Sequence, residues 1–159
     1  VDVFMNAYDA DQLDRIEDIL LRSRSSFQSV MNNYPSHWVN WMCQQYQITQ
    51  RLKKEKIRAI EQKVSSDLST IVQNLPKESQ EVLQLCMKRS GVVKYRLLNR
   101  YDDDFRFLWK DEPILSPIGV LRQKGLLFIG KMWIGQRTYK VAFVPIEFRN
   151  ALEELVNID

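Results

Sequence analysis

Residues 122–144 read RQKGLLFIGKMWIGQRTYKVAFV. The stretch holds Arg122, Lys124, Lys131, Arg137 and Lys140 and not one Asp or Glu. Its first residues end a short helical pattern, because Gly125 is a natural helix stop. Leu126 to Met132 and Arg137 to Val144 are rich in β-forming residues, and Tyr139, Val141 and Phe143 alternate on one face. Gly135 sits where a tight hairpin turn needs a residue free of a Cβ. A helix running into an acid-free hairpin is therefore expected here.

Outward from this stretch the same logic orders the C-terminal half. PKESQEVLQLCMKRSG (76–91) opens on Pro76, a residue tolerated in a first helical turn, and stops at Gly91. VVKY (92–95) suits a short strand and YRLLNRY (95–101) a short helix, and DDDFRFLWKDEP (102–113) is irregular and acidic. Ser116-Pro117 then pairs an N-cap with proline at the first helical position, opening PIGVLRQK (117–124). Pro145 opens a last helix with Phe148, Ala151, Leu152 and Leu155 on its apolar face. The order helix, strand, helix, helix, strand, hairpin tip, strand, helix is the winged helix-turn-helix layout.

The N-terminal half reads as helices. Leu13, Ile16 and Leu20 keep helical spacing, followed by a second helix carrying Phe27, Val30 and Met31. After the break NNYPS, Ser36 is expected to cap HWVNWMCQQY (37–46). A long amphipathic helix with Leu52, Ile57, Ile60, Val64, Leu68 and Ile71 follows, broken near Ser65-Ser66. The expected fold class is α+β, mainly α. A helical region (1–75) packs on a winged-helix domain (76–159), with the boundary at Leu75-Pro76.

Composition limits the functional classes. The chain has 159 residues, 45% of them apolar and 11% aromatic, enough for a real core. Its longest apolar runs fall far short of a bilayer span. The acidic N-terminus lacks a secretory pattern, and Cys43 and Cys86 stand apart without C-x-x-C spacing, so reduced, buried thiols and a cytoplasmic setting are expected. Beginning at Val1, the chain reads as a trimmed product or as part of a longer protein. No phosphate-binding glycine loop or nucleophile elbow occurs, and His37 is the only histidine. Asp102-Asp103-Asp104 lacks the glycine and distal Glu of a calcium loop. A non-enzymatic protein with no cofactor and no metal is expected.

Net charge is only +3, but the charge is segregated. Residues 1–18 carry six acids against Arg15, and residues 51–63 six bases against two acids. Residues 88–100 carry five bases and no acid, and residues 102–112 five acids against two bases. Basic faces of this kind attract polyanions. In a winged helix the helix before the wing enters the major groove, which assigns Arg122, Gln123 and Lys124 to base or backbone contact. Lys131, Trp133, Gln136 and Arg137 would line the wing, though Trp133 also suits a place under the hairpin in the core. The acidic tract before that helix would oppose a phosphate backbone. Its Phe105, Phe107 and Trp109 suit either a protein-partner surface or the core.

HWVNWMCQQYQITQRLKKEKIRAIEQKV (37–64) resembles a SAP-like helix–extended loop–helix motif. The matching features are an aromatic first helix, a loop with Ile48 as its buried residue, and a second helix with a basic start. Its loop has no Gly. The resemblance implies that Arg51, Lys53, Lys54 and Lys56 face a duplex backbone. The two regions in series are also loosely similar to the accessory region of XPB-type helicases, which ends on the pattern that Val144, Pro145, Glu147 and Leu152 make here. That likeness implies a role beside DNA. The expected function is binding of double-stranded DNA with modest sequence preference. The alternative is a protein–protein adaptor with the same fold, using residues 105–109 or the Trp38/Trp41 helix.

Overall fold

In the computed structural model of the chain, the described residues are 11, 13–105 and 113–156. The fold is α+β and mainly helical. Residues 13–17 are helical (α1), followed by α2 (Phe27–Met31), α3 (Ser36–Gln45), α4 (Lys53–Ser66) and α5 (Leu68–Gln73). Then come α6 (Lys77–Lys88), β1 (Val92–Lys94), a 3-10 turn (Tyr95–Leu98), α7 (Pro117–Lys124), β2 (Phe128–Ile134), β3 (Arg137–Phe143) and α8 (Ile146–Leu155).

Local chemistry accounts for most boundaries. The Ser116 hydroxyl accepts the Gly119 N–H at 2.9 Å and caps α7, whose other end stops where Gly125 turns to φ 82°. The break in the long helix falls at Asp67, one residue beyond the Ser65-Ser66 pair. Pro76 and Pro145 precede α6 and α8. Ser36 does not cap α3: it is the first helical residue, after Pro35, and makes no capping bond. Leu20 is also not on a buried helical face. The chain leaves α1 before it, and Leu20 is 59% exposed.

The sheet is antiparallel with order β1-β3-β2. Phe128 pairs with Phe143 at the base of the hairpin and Ile134 with Arg137 at its tip, while Val93 pairs with Ala142 on the other side of β3. The base is buried on both faces: Phe128, Val141 and Phe143 on one, Val93, Ile129 and Ala142 on the other. The tip projects into solvent.

Residues 19–21 run parallel to the free edge of β2. Lys131 donates its backbone N–H to Ile19 at 2.8 Å and accepts that of Leu21 at 2.7 Å. Gly130 permits this approach, since a Cβ there would lie 2.7 Å from Leu21 Cδ1 and 2.8 Å from the Ile19 carbonyl oxygen.

Residues on both sides of Leu75-Pro76 merge into one core. An edge-to-face chain of rings runs through it, from Phe148 to Phe27, Phe128, Tyr34, Trp38 and Phe105, with neighbouring centroids 5.2–6.1 Å apart. Glu147, part of the C-terminal pattern read from sequence, accepts the Phe27 N–H at 2.9 Å and so anchors the start of α2 to α8.

Candidate functional site

The hairpin carries its basic residues without acids of its own, and the acids come from elsewhere in the chain. Lys131 meets Asp18 at 2.9 Å and Lys140 meets Glu17 at 2.8 Å. Arg122 meets Asp103 at 2.9 Å and Glu17 at 3.6 Å. Glu17 and Asp18 thus supply the hairpin with the counter-charges that it lacks.

Arg122 is the main correction to the sequence reading. Expected to face outward and read bases, it is 2% exposed and stacks over the Phe105 ring with its guanidinium 4.3 Å from the centroid. Burial opposes its charge, but the pull of Asp103, Tyr34 and Glu17 prevails and raises its pKa. A closed circuit surrounds it. Glu17 holds Lys140, Lys140 lies 4.2 Å over the Tyr95 ring, Tyr95 donates to Asp103 at 2.9 Å, and Asp103 returns to Arg122. Burial, followed by Asp103, raises the Tyr95 pKa, so the phenol keeps the proton it donates.

The rest of α7 follows. Ile118 through Arg122 are buried, Pro117, Gln123 and Lys124 are half-buried, and no residue of the helix is exposed. Its C-terminal carbonyls are occupied by α3, with Gln45 donating to the Gln123 carbonyl and Tyr46 to that of Lys124 at 2.6 Å. Of the three α7 residues expected to contact DNA, Arg122 is lost to the interior, while Gln123 and Lys124 remain half-buried at the C-terminal end of the helix. The described acids before the helix, Asp102, Asp103 and Asp104, are tied into the fold. The Asp102 carbonyl accepts the Ile118 N–H, Asp103 holds Arg122, and Asp104 accepts the Leu115 N–H at 3.0 Å and the Ser116 hydroxyl. Gly119 has no room for a side chain: a Cβ would stand 2.2 Å from Asp104 Oδ1.

The hairpin tip fits the expectation better. Trp133 does not close the core; it is 59% exposed, and Ile134, Gln136 and Arg137 are exposed beside it. Arg137 makes no ion pair with a described residue, whereas Lys131, named with it for the wing, is held by Asp18.

The basic segment 88–100, left out of the expected contact set, adjoins the hairpin. Lys94 pairs with Val141, and its ammonium lies 4.1 Å from the centre of the Tyr139 ring. Lys88, Arg89 and Arg96 are exposed and pair with no described acid. The absence of acids over residues 88–100 was the signal for them in the sequence.

On the SAP-like segment, Arg51 and Lys54 are exposed. Lys53 donates to the Asn32 carbonyl at 3.0 Å and Lys56 to the Asn40 side chain at 2.6 Å, which ties both to the neighbouring helices. Ile48, expected as the buried residue of the loop, is half-buried against the core, and Gln47 takes the left-handed turn (φ 57°) that a glycine would fill more easily.

The aromatic partner surface is corrected in part. Phe105 is fully buried, Trp38 is buried and Trp41 half-buried, while Phe107 and Trp109 lie outside the described residues. Both cysteines are buried free thiols. Among the described residues no group of His, Cys, Asp and Glu could hold a metal ion, and no helix is long and apolar enough to cross a membrane. No family model, curated protein or solved structure matches the chain.

Proposed function

We propose that the chain is a non-enzymatic DNA-binding module built as a winged helix, which meets double-stranded DNA through its wing and the adjoining β1 region rather than through α7. The observation that carries this reading is the placing of exposed cations that pair with no described acid. Lys88, Arg89 and Arg96 flank β1, the strand hydrogen-bonded to β3, and Arg137 stands at the tip of β3. The element order from α6 onward and the sheet order β1-β3-β2 support the winged-helix assignment. With α7 enclosed, the contacts are to phosphates, so sequence preference is small. Arg51 and Lys54 on the SAP-like segment supply a second backbone contact.

The test is fluorescence anisotropy of a labelled duplex at roughly 50 and 200 mM salt. Six phosphate contacts should weaken binding about a thousandfold across that range. Arg137→Ala and Arg96→Ala should each weaken it and flatten the salt dependence. No binding at the lower salt would remove the proposal. The alternative, a protein–protein adaptor, would then take its place, and the exposure of Leu20, Trp133 and Ile134 around the wing favours that second reading.

A further inference from the structure

Trp133 stands where the fold has no use for an indole. It lies on β2 opposite Thr138, next to the last residue before the turn, and is 59% exposed. Its face of the sheet also carries Lys131 and Lys140, and Leu20, bridged to Lys131, shares that face. Arg137 begins the returning strand opposite Ile134. The turn leaves the approach clear, since even a Cβ added at Gly135 would meet nothing within 4 Å.

Resting on the DNA-binding reading, we infer that the wing tip recognises an unpaired base beside a duplex, with the Trp133 indole stacking on the base, Lys131 on the same face taking one flanking phosphate, and Arg137, on the opposite face at the very tip, taking the next as the backbone passes over the turn. A continuous duplex keeps its base faces stacked and offers an indole none, whereas a single-stranded extension or a junction exposes them. Base–aromatic stacking tolerates any sequence, as does a site without a groove-reading helix. At the tip itself Arg137 is exposed and pairs with no described acid, so a phosphate finds an unspent cation beside the indole. Asp18 is no obstacle. Its pair with Lys131 is a surface contact, about half exposed on both sides, and a phosphate can replace it.

The experiment compares a blunt duplex of about 20 base pairs with the same duplex carrying about six unpaired thymines, read by anisotropy on the full chain. Wild type, Trp133→Ala and Trp133→Phe are titrated with both. The wild type should prefer the extended duplex about tenfold, Trp133→Phe should keep most of that preference, and Trp133→Ala should lose it, its affinity falling far more on the extended duplex than on the blunt one. Because the extension also adds phosphates, the contrast between wild type and Trp133→Ala is the criterion. Equal wild-type affinities, or an equal loss on both duplexes in Trp133→Ala, would overturn the inference and leave the DNA-binding proposal standing. Binding to neither duplex at low salt would overturn both. Thermal melts of the variants exclude misfolding as the cause.

Discussion

Lys131 and Lys140 are direct partners across β2 and β3, and each ends on a carboxylate from adjacent N-terminal residues, Asp18 at 2.9 Å and Glu17 at 2.8 Å. Like charges facing each other across a sheet are unfavourable on their own. Two consecutive acids convert the clash into a clasp that draws the N-terminal segment onto the hairpin. The two acids differ in weight. Asp18 is exposed, while Glu17 is 15% exposed and also reaches the buried Arg122. Asp18→Asn should cost no more than about 1 kcal/mol, and Glu17→Gln about 1–3 kcal/mol, in urea unfolding. Equal losses would contradict the division of roles.

Arg122→Ala should act on stability rather than on DNA contact. It would leave Asp103 and Glu17 facing a buried gap with no guanidinium between them, at a cost of about 3–5 kcal/mol. Denaturation curves should show the loss, and salt-dependent DNA affinity, corrected for the folded fraction, should stay at the wild-type value. A specific loss of affinity with stability intact would return Arg122 to the interface.

Two glycines of the hairpin should respond differently to alanine. At Gly130 the added methyl collides with Leu21 and the Ile19 carbonyl, so about 1–3 kcal/mol is expected together with loosening of residues 19–21. Hydrogen exchange at the Leu21 amide would report that release. At Gly135 space is open, and the penalty, about 1 kcal/mol, comes only from φ 67°. Thermal melts of the two variants should rank them in that order.

Gln47 holds φ 57° in the loop between α3 and α4. Glycine adopts that conformation without strain, so Gln47→Gly should stabilise the fold by up to about 1 kcal/mol despite the greater freedom it gives the unfolded chain. A lower melting temperature in this variant would count against the left-handed geometry.

Alkaline pH should weaken the fold through a known sign. Burial raises the Cys86 thiol from its ordinary 9.0 to about 12, and raises Tyr34, also chiefly by burial, from 10.0 to about 12. Between these values the unfolded chain sheds protons that the folded chain keeps, so the stability present below pH 9 declines as pH rises toward 12. Unfolding midpoints measured from pH 8 to 11 should fall, and Cys86→Ala should make the fall shallower, whatever its own fixed cost.

How much was legible beforehand follows from the range of each interaction. The α7 cap at Ser116, its stop at Gly125, the break at Asp67 and the hairpin about Gly135 are short-range matters of hydrogen bonding and φ, written in neighbouring residues. The sequence by itself therefore determined the helices, the hairpin and the α+β class, and its uneven charge already set apart the basic segments 51–63, 88–100 and 122–144 from the acidic segments 1–18 and 102–112. It carried no information on which acid meets which base. Arg122 looked like a reading residue because a basic side chain on a short helix before a wing is exposed in the simplest assembly. Only the tertiary structure, by bringing Glu17 from one distant point in the chain and Asp103 and Phe105 from another, made it a buried charge. Burial and ion pairing depend on what else arrives at a position, and packing of the whole chain settles that. The same packing left Trp133 and Arg137 in solvent, because the hairpin outruns the core that covers its base.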